Sequence, residues 1–485
     1  MIIASLKQAL ANKVVRFIFS RYFTYLIQFV NSLLIALYLG PYNLGRWGFI
    51  TLVVQYFAQI NFGIPHALNA IVSVAKHNEK YVGWIFNTVL TLTCILCLLV
   101  VTLFLATYWF TIDIGSQYEF KEFLPLVCGI VVLNYCNSIF SNLFRVYNKL
   151  FEIAFSQSVF PCLMLAAVLF GNGEQLLNYL VAANLIAFFV SFALFFYNSP
   201  VKIKPMFPLG LVKIIARRAL FLFIYNSSFY LIMISTRSIV SSFYSVTEFG
   251  FFTFSFTLAN VILLLFESFS FLIYPKTINR LSKAGEQESI NILEKIRTDF
   301  LTMSHGVVHI VILSFPIFIL FFPSYSTAVT GFRLIALTLV LYTNCFGYSS
   351  LLVAKGKERL LAYTAALSLI LNLGLGFFFA GYINVSSDLV ILSTTITYLV
   401  YLLLINYSGR KLLKVKNHFL QLVASAFPVR ILVPYCLAMF FTILKLDSLW
   451  YISSFAVYIL LNRSTIFGIF SLLREIIAKP DIINI

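Results

Sequence analysis

Charged side chains are scarce in this chain of 485 residues, of which Asp, Glu, Lys and Arg together make up only 11%. A soluble domain carries about 25%. Apolar residues reach 61%, with 53 Phe and 27 Tyr, so too few polar side chains remain to cover a core of that size in water. The composition excludes a cytosolic enzyme, a disordered chain and a secreted disulfide scaffold, and it indicates an integral membrane protein.

Acidic residues are the scarcer charged type: 17 Asp and Glu stand against 34 Lys and Arg, a formal net charge of +17. In a soluble protein this excess would suggest nucleic acid, which we do not expect as a partner here. In membrane proteins, basic residues concentrate in cytoplasmic loops. With the N-terminus placed in the cytoplasm, 29 basic residues fall in cytoplasmic segments and four in outer ones. Both termini are therefore predicted to be cytoplasmic.

Long stretches without Asp, Glu, Lys or Arg predict the membrane spans, because a helix needs roughly 20 residues to cross a hydrocarbon core of about 30 Å. Twelve stretches qualify: Tyr22–Gly45, Trp47–Ala75, Tyr81–Ile112, Phe123–Phe144, Ile153–Gly173, Gln175–Val201, Ala219–Thr236, Phe249–Phe266, Phe300–Phe332, Leu334–Ala354, Leu360–Ser387 and Leu389–Gly409. Two shorter stretches follow, Ile431–Leu444 and Ser448–Asn462. Backbone amides in lipid need internal partners, so we predict an all-α integral membrane fold of fourteen, alternatively twelve, helices.

A basic segment with three prolines divides the chain into two six-helix lobes. The predicted parts are an N-terminal lobe (1–200), a cytoplasmic linker (201–218), a C-terminal lobe (219–410) and a basic loop with two further helices and a tail (411–485). The halves are weakly similar, since Leu44-Gly45 and Phe249-Gly250 both close the first outer hairpin of their half, 205 residues apart. Parallel repeats imply a pseudo-two-fold axis, with a central cavity between the lobes.

Several predicted spans carry their polar residues on one helical face, at 100° per residue. We expect the following residues to line a hydrated, substrate-binding cavity: Arg21, Gln28 and Asn31 on the first span, Gln55, Gln59, His66 and Asn69 on the second, Tyr230 and Arg237 on the seventh, and Asn260 on the eighth. The same residue types also join helices by hydrogen bonds, so packing stays open as the alternative for each.

The charged members of these faces have individual alternatives. Arg237 lies about one turn from the outer end of its span and could extend its side chain to the interface, and Arg21 could be an inner-boundary anchor. His66 could relay protons or simply pack. Glu267, on the eighth span, is too short to reach the interface easily, which favours either an ion pair, with Arg21 as the candidate partner, or a functional role in coupling to H⁺ or Na⁺. We see no metal-ligand cluster and no catalytic pair of acids, and we predict no cofactor.

Four short motifs resemble those of a known family. They are Tyr38-Leu-Gly-Pro-Tyr-Asn-Leu-Gly45, Phe62-Gly-Ile-Pro-His-Ala-Leu-Asn69, Ala354-Lys-Gly-Lys-Glu358 and Asn372-Leu-Gly-Leu-Gly376. In order and spacing they resemble the Wzx-type flippases of O-antigen and capsule repeat units, within the multidrug/oligosaccharidyl-lipid/polysaccharide exporter superfamily. The resemblance spans roughly residues 10–410. Family members often carry an acid beside the arginine of the seventh helix, whereas here Ser235-Thr236 precede Arg237.

The resemblance implies two six-helix lobes with helices 1, 2, 7 and 8 lining the cavity, and a function without catalysis. The chain would flip an oligosaccharide on undecaprenyl pyrophosphate across the bacterial inner membrane by alternating access, for O-antigen, lipopolysaccharide or other polysaccharide assembly. Implied partners are the lipid-linked oligosaccharide, anionic membrane lipids, and a glycan polymerase with its chain-length machinery. The sugars, the coupling ion, the oligomeric state and the role of the last two helices stay open.

Two other functions remain as alternatives. One is an ion-coupled multidrug or cation exporter of the same fold, which would favour several intramembrane acids, whereas Glu267 is the only candidate. The other is an integral-membrane glycan polymerase or ligase. Such an enzyme generally needs a large charged outer loop, and the longest one here, Asp113–Glu122, is short. We therefore predict that the chain is not an enzyme.

Overall fold

The computed structural model of the chain describes residues 13–75, 78–110, 114–415 and 418–478, and all regular secondary structure in them is helical. Side chains at some helical positions, among them 13–22, 66 and 261–276, fall outside that description. The first seven helices are α1 Lys13–Gln59, α2 Ile64–Ala75, α3 Glu79–Trp109, α4 Leu124–Val146, α5 Leu150–Phe170, α6 Gly173–Tyr197 and α7 Leu209–Phe243. The others are α8 Val246–Lys283, α9 Glu286–Phe321, α10 Val329–Asn344, α11 Tyr348–Ala354, α12 Glu358–Phe377, α13 Leu392–Leu412, α14 Phe419–Ala426, α15 Val429–Ile443 and α16 Trp450–Ala478.

Within the described residues, ten helical segments are long and apolar enough to cross a membrane. The number rises to eleven if α14 and α15, which meet at 75°, form one broken span. The first predicted span and part of the second lie in α1, which is kinked by non-helical backbone at Gly40 (φ 69°, ψ 170°) and is counted once. The seventh and eighth spans lie in α7 and α8, where many side chains are not described. The prediction of an all-helical, multi-pass membrane fold is confirmed.

The second predicted span, Trp47–Ala75, is wrong as a continuous helix. The chain leaves the helix at Gln59 and re-enters it at Ile64, with positive φ at Phe62 (51°) and Gly63 (69°) between. A Cβ atom at Gly63 would lie 2.8 Å from the carbonyl oxygen of Ala219 in α7, so only glycine fits this close approach. A count of charge-free residues does not detect such a turn, because every residue in it is uncharged.

The ninth predicted span, Phe300–Phe332, also has different ends in the structure. Its helix, α9, begins at Glu286 and stops at Phe321, after which Pro323 opens a 3₁₀ turn that leads into α10. Proline fixes φ and has no N–H for the preceding turn, which explains the stop. The helix begins before the predicted span because several polar turns, from Glu286 onwards, precede its apolar part.

The helices form two compact units. Unit 1 runs through Ile234 and includes Tyr244–Gly250, and unit 2 comprises Ser235–Phe243 and the chain from Phe251 onwards. The core of unit 1 is a cluster of buried apolar residues on α2, α3 and α4, with single contributions from α5 and α6 and two from the start of α7. Its large rings are Phe86, Phe140, Phe144 and Phe195.

Unit 2 is organised around α10. Every residue from Gly331 to Leu341 is buried, and α9, α13 and α15 pack against this helix. A helix that is apolar on all sides is stable only when other helices surround it or lipid covers it. The burial shows that in α10 the neighbours are other helices, so α10 is the central element of unit 2.

Candidate functional site

Two polar side chains of the first predicted span contact another helix of unit 1. The Asn31 Nδ2 atom donates to the carbonyl oxygen of Pro161 in α5 at 2.6 Å, and only 4% of Asn31 is exposed. About two turns earlier, the hydroxyl groups of Thr24 and Ser158 lie 3.5 Å apart. Gln28, on the same helix, is half-buried. The Asn31 amide is thus engaged in joining α1 to α5.

The turn after α1 separates the polar residues predicted for the second span. Gln55 and Gln59 belong to α1, whereas Asn69 belongs to α2, and all three are half-buried. The Asn61 side chain stabilises the turn, since its Nδ2 donates to the Ala58 carbonyl (2.8 Å) and its Oδ1 accepts from the Gly63 N–H (2.9 Å). The prediction that these residues share one continuous helical face is therefore wrong.

Three predicted residues have side chains outside the described part of the chain. They are Arg21 in α1, His66 in α2 and Glu267 in α8. Tyr230, on α7, is 38% exposed. Asn260, on α8, is half-buried.

Arg237 is buried in unit 2, with 3% of the residue exposed. Its guanidinium carbon lies 4.8 Å from the ring centroid of Phe256 on α8, a cation–π contact. Asn260 follows Phe256 by four residues, which puts both side chains on one face of α8. Arg237 of α7 therefore contacts a ring that lies one helical turn from Asn260 on α8.

Four neutral polar side chains form a hydrogen-bonded cluster, and two of them directly precede Arg237 in the sequence. Asn372 Nδ2 donates to the hydroxyl oxygens of Ser235 (2.9 Å) and Thr236 (3.1 Å), and Thr236 Oγ1 lies 2.6 Å from Thr394 Oγ1. All four are buried and join α7, α12 and α13. The sequence had singled out Ser235-Thr236 and Asn372 separately, but it gave no sign that they touch, since 136 positions separate Thr236 from Asn372.

Arg297 is a buried residue that the sequence assigned to a cytoplasmic segment. Its Nη1 donates to the carbonyl oxygens of Asn344 (2.8 Å) and Phe346 (3.1 Å), and its Nη2 to those of Ser425 (2.9 Å) and Ala426 (3.2 Å). Asn344 and Ala426 end α10 and α14. One guanidinium group therefore donates to free carbonyl groups at two helix ends, and its positive charge stabilises the negative ends of both helix dipoles.

Arg46 is a second arginine whose burial the sequence did not reveal. It is 2% exposed, and its guanidinium group lies 2.5 Å from a carboxylate oxygen of Glu119 and 3.2 Å from one of Glu174. Its Nε donates to the Tyr118 carbonyl at 3.3 Å. Burial raises the pKa of the Tyr118 hydroxyl, so this neighbour stays neutral. Arg46 thereby joins α1 to the segment before α4 and to the start of α6.

Arg333 is the third arginine of this kind. It donates to Ser448 Oγ (2.6 Å) and lies 4.2 Å from the ring centroid of Tyr451, and it is 4% exposed. Arg46, Arg297 and Arg333 all have structural partners within their own unit. Of the four arginines with described, buried side chains, Arg237 differs in belonging to a predicted cavity face.

Comparisons with solved structures identify the fold. A lipid II flippase, MurJ, in an inward closed conformation superimposes with a TM-score of 0.68 at 15% identity, covering 95% of this chain and 99% of its own. A multidrug resistance MATE family transporter of the MOP superfamily gives 0.66 at 14% identity in its inward-facing conformation, covering 81% and 94%. An outward-facing MATE transporter gives 0.56 at 16% identity, covering 83% and 95%.

No protein-family model and no curated protein sequence matches this chain. At these identities the likeness is one of fold, and the fold is that of MurJ and the MATE transporters of the MOP superfamily. The neighbours themselves are described as a flippase and as multidrug resistance transporters.

Proposed function

We propose that this chain flips a lipid-linked oligosaccharide repeat unit, carried on undecaprenyl pyrophosphate, from the cytoplasmic to the outer face of the bacterial inner membrane. The observation that carries the proposal is the fold likeness to a lipid II flippase along 95% of this chain. The four short motifs of Wzx-type flippases support the narrower assignment to O-antigen or other polysaccharide assembly. Alternating access and cytoplasmic termini are part of the same proposal.

The substrate's pyrophosphate needs a cation in a site with little water, and Arg237 is the described residue that suits this role best. It is buried, and the planar fork of its guanidinium group fits phosphate oxygens. Asn260 offers an amide on the adjacent helix. We assign sugar hydrogen bonding to Gln28, Gln55, Gln59 and Asn69, and stacking to Tyr230, which is exposed enough to meet a ligand.

Asn31 has a weaker claim to the substrate than its place in the predicted set suggests, because its Nδ2 already donates to Pro161. Arg21 and His66 keep their proposed places in the cavity, and Glu267 its proposed role in coupling to H⁺ or Na⁺. Flipping rates measured under an imposed pH gradient and under an imposed Na⁺ gradient identify the coupling ion. Glu267→Gln is expected to abolish the response to whichever gradient accelerates flipping.

A second candidate function is export of cationic drugs, because two of the fold neighbours are multidrug transporters. The charge of Arg237 argues against it, since a buried guanidinium group repels a cationic substrate. This alternative predicts that the purified protein lowers ethidium inside liposomes under an ion gradient and leaves lipid-linked oligosaccharide on its original leaflet.

The decisive experiment measures the flipping of a fluorescent lipid-linked oligosaccharide by the full chain in proteoliposomes. Arg237→Gln is expected to lower the initial rate about tenfold to hundredfold, the range for losing a hydrogen bond to a charged group. Arg237→Lys should fall between Arg237→Gln and the wild type. Arg463→Gln removes the same charge from an exposed position and should leave the rate unchanged. An Arg237→Gln protein that flips at the wild-type rate would remove Arg237 from the site.

A further inference from the structure

The segment that joins α6 to α7, residues 199–208, contains three prolines and would be expected to be a loose loop. In unit 1 it is held at its start and along its length. Lys149 Nζ donates to the Asn198 carbonyl just before it (2.9 Å), and Ser199 Oγ donates to the Val201 carbonyl (2.8 Å). Its backbone conformation is therefore fixed by side chains rather than by a helix.

Two side chains of α3 hold the middle of the segment. Asn87 Nδ2 donates to the Lys202 carbonyl and Asn87 Oδ1 accepts from the Lys204 N–H, both at 3.0 Å. One turn later on α3, Thr91 Oγ1 accepts from the Met206 N–H at 3.0 Å. The Asn87 amide pairs with residues 202 and 204 much as a neighbouring strand would, which keeps this stretch extended.

The extended stretch has two different faces. Val201 and Ile203 pack against the apolar core of unit 1, whereas Lys202 and Lys204 are exposed. Alternation is what an extended backbone imposes, and it places the two lysines about 6.6 Å apart on the outward face. In the part of the chain that the structure describes, neither lysine forms an ion pair.

The surroundings of these lysines combine positive charge with exposed apolar groups. Lys213 and Arg217, one turn apart near the start of α7, are also exposed. Phe207 is 49% exposed and Leu209 74%. Asn87 lies eight residues into α3, about 12 Å from its first residue, so the segment it holds runs beside an apolar helix. Lysines there can bury their stems and raise their ammonium groups to phosphate level.

We propose that the 199–208 segment and the start of α7 form a binding surface for the phosphate groups of anionic phospholipids, with Lys202, Lys204, Lys213 and Arg217 as the cations. Phe207 and Leu209 enter the boundary between headgroups and acyl chains. Anionic lipid binds at this surface. The proposal requires that the chain spans a membrane, and it does not depend on which substrate is transported.

The test is a titration of purified, delipidated full-length protein with phosphatidylglycerol or phosphatidylcholine, followed by native mass spectrometry. A Lys or Arg near an anionic surface contributes about fivefold in affinity. Lys202→Gln combined with Lys204→Gln should therefore weaken phosphatidylglycerol binding about 25-fold and leave phosphatidylcholine binding unchanged. The matched control, Lys283→Gln with Lys357→Gln, removes two equally exposed charges elsewhere and should stay within about twofold of the wild type.

A further variant tests whether the pinned backbone matters. Asn87→Ala keeps every cation but removes two bonds to the segment, and it should weaken phosphatidylglycerol binding about fivefold. Thr91→Val, which keeps the side-chain shape, is the second variant if Asn87→Ala does not fold, with an expected loss of about twofold to threefold. Unchanged binding in the variant that folds would overturn the role of the pinned backbone.

Two outcomes would overturn the lipid surface itself. One is equal phosphatidylglycerol affinity in the lysine pair and its control. The other is a lysine pair that loses affinity for undecaprenyl pyrophosphate in the same titration while keeping its affinity for phosphatidylglycerol, because the surface would then recruit substrate. The readout is binding alone, so a failure here and a failure of the flipping assay are distinguishable.

Discussion

Gly45 lies so close to Val246 that a Cβ atom at the glycine would be 2.1 Å from the Val246 carbonyl oxygen. The contact is reciprocal, since a Cβ atom at Gly250 would be 1.9 Å from the carbonyl oxygen of Pro41. Pro41 and Val246 are 205 positions apart, as the two glycines are. Equivalent positions of the two sequence halves therefore meet backbone to backbone inside unit 1, where no side chain fits.

We predict that Gly45→Ala and Gly250→Ala each lower the stability of the protein by about 1–3 kcal/mol, because the added methyl group must displace backbone rather than a flexible side chain. Alanine would otherwise favour a helix by about 0.5–1 kcal/mol over glycine, so a loss cannot come from helix propensity. The measurement is thermal unfolding of the detergent-solubilised chain.

Gly374→Ala is the matched control, since it lies inside α12 with nothing within 4 Å of the added Cβ. It should leave the unfolding temperature unchanged or raise it slightly. If all three alanine variants unfold at the same temperature, the close approach at Gly45 and Gly250 does not exist in the membrane protein.

Replacing Arg297 should destabilise unit 2 more than any exposed substitution. Arg297→Gln removes the donor from four carbonyl groups at or next to the ends of α10 and α14, two of them fully buried. We expect a cost of about 3–5 kcal/mol, since each buried acceptor left unsatisfied costs roughly 1–3 kcal/mol. Arg297→Lys keeps the charge but cannot reach all four oxygens, so it should recover only part of the loss. The yield of monodisperse protein after purification checks this, with Arg463→Gln as the exposed control.

Comparing variants of Asn31 and Gln59 should distinguish an amide that packs helices together from an amide that binds substrate. Asn31→Ala breaks the bond to Pro161 and should lower stability by about 1 kcal/mol. Gln59→Ala, at the half-buried end of α1, should leave stability within about 0.5 kcal/mol of the wild type. In the flipping assay the order reverses, and Gln59→Ala is expected to be the slower protein. A slow flipping rate together with wild-type stability in Asn31→Ala would return Asn31 to the substrate site.

Thr236→Val tests the neutral polar cluster of unit 2. The change keeps the side-chain shape and removes the hydroxyl that lies between Asn372 and Thr394. Hydrogen bonds between helices in membranes contribute about 0.6 kcal/mol each, with a maximum near 1.7, so we expect a loss of about 1–2 kcal/mol. Thr102→Val, whose exposed hydroxyl bonds only within its own helix, should be neutral. Equal unfolding temperatures for the two valine variants would contradict the cluster.

The sequence predicted the positions of several long apolar helices well and the contacts between helices poorly. Charge-free stretches identified helices such as α3 and α6 because burial in lipid constrains composition along the chain. The turn at Asn61–Gly63 was not predicted by counting charge-free residues, since its own residues are uncharged. The close approach of Gly63 to α7 is visible only in the structure. Charge counting likewise treated Arg297 as a surface residue, because a single arginine near a span looks the same whether it faces water or two helix ends.

The candidate site shows the same division. Helical periodicity selected Arg237 and Asn260, and the structure shows that Arg237 of α7 contacts Phe256, one turn before Asn260 on α8. Periodicity also selected Asn31, but only the position of α5 shows that Pro161 accepts its hydrogen bond. For Ser235, Thr236 and Asn372, the residues were noticed singly, because contacts across more than 130 positions leave no trace in one sequence.

The pairing of Asn87 with residues 202 and 204 has a consequence for biosynthesis. Asn87 belongs to an apolar helix, yet its hydrogen-bond partners are synthesised 115 and 117 residues later. An amide without partners is costly in hydrocarbon, so α3 reaches its final place only once the ribosome has completed the 199–208 segment. The final packing of α3 therefore depends on a segment that follows three further helices in the chain.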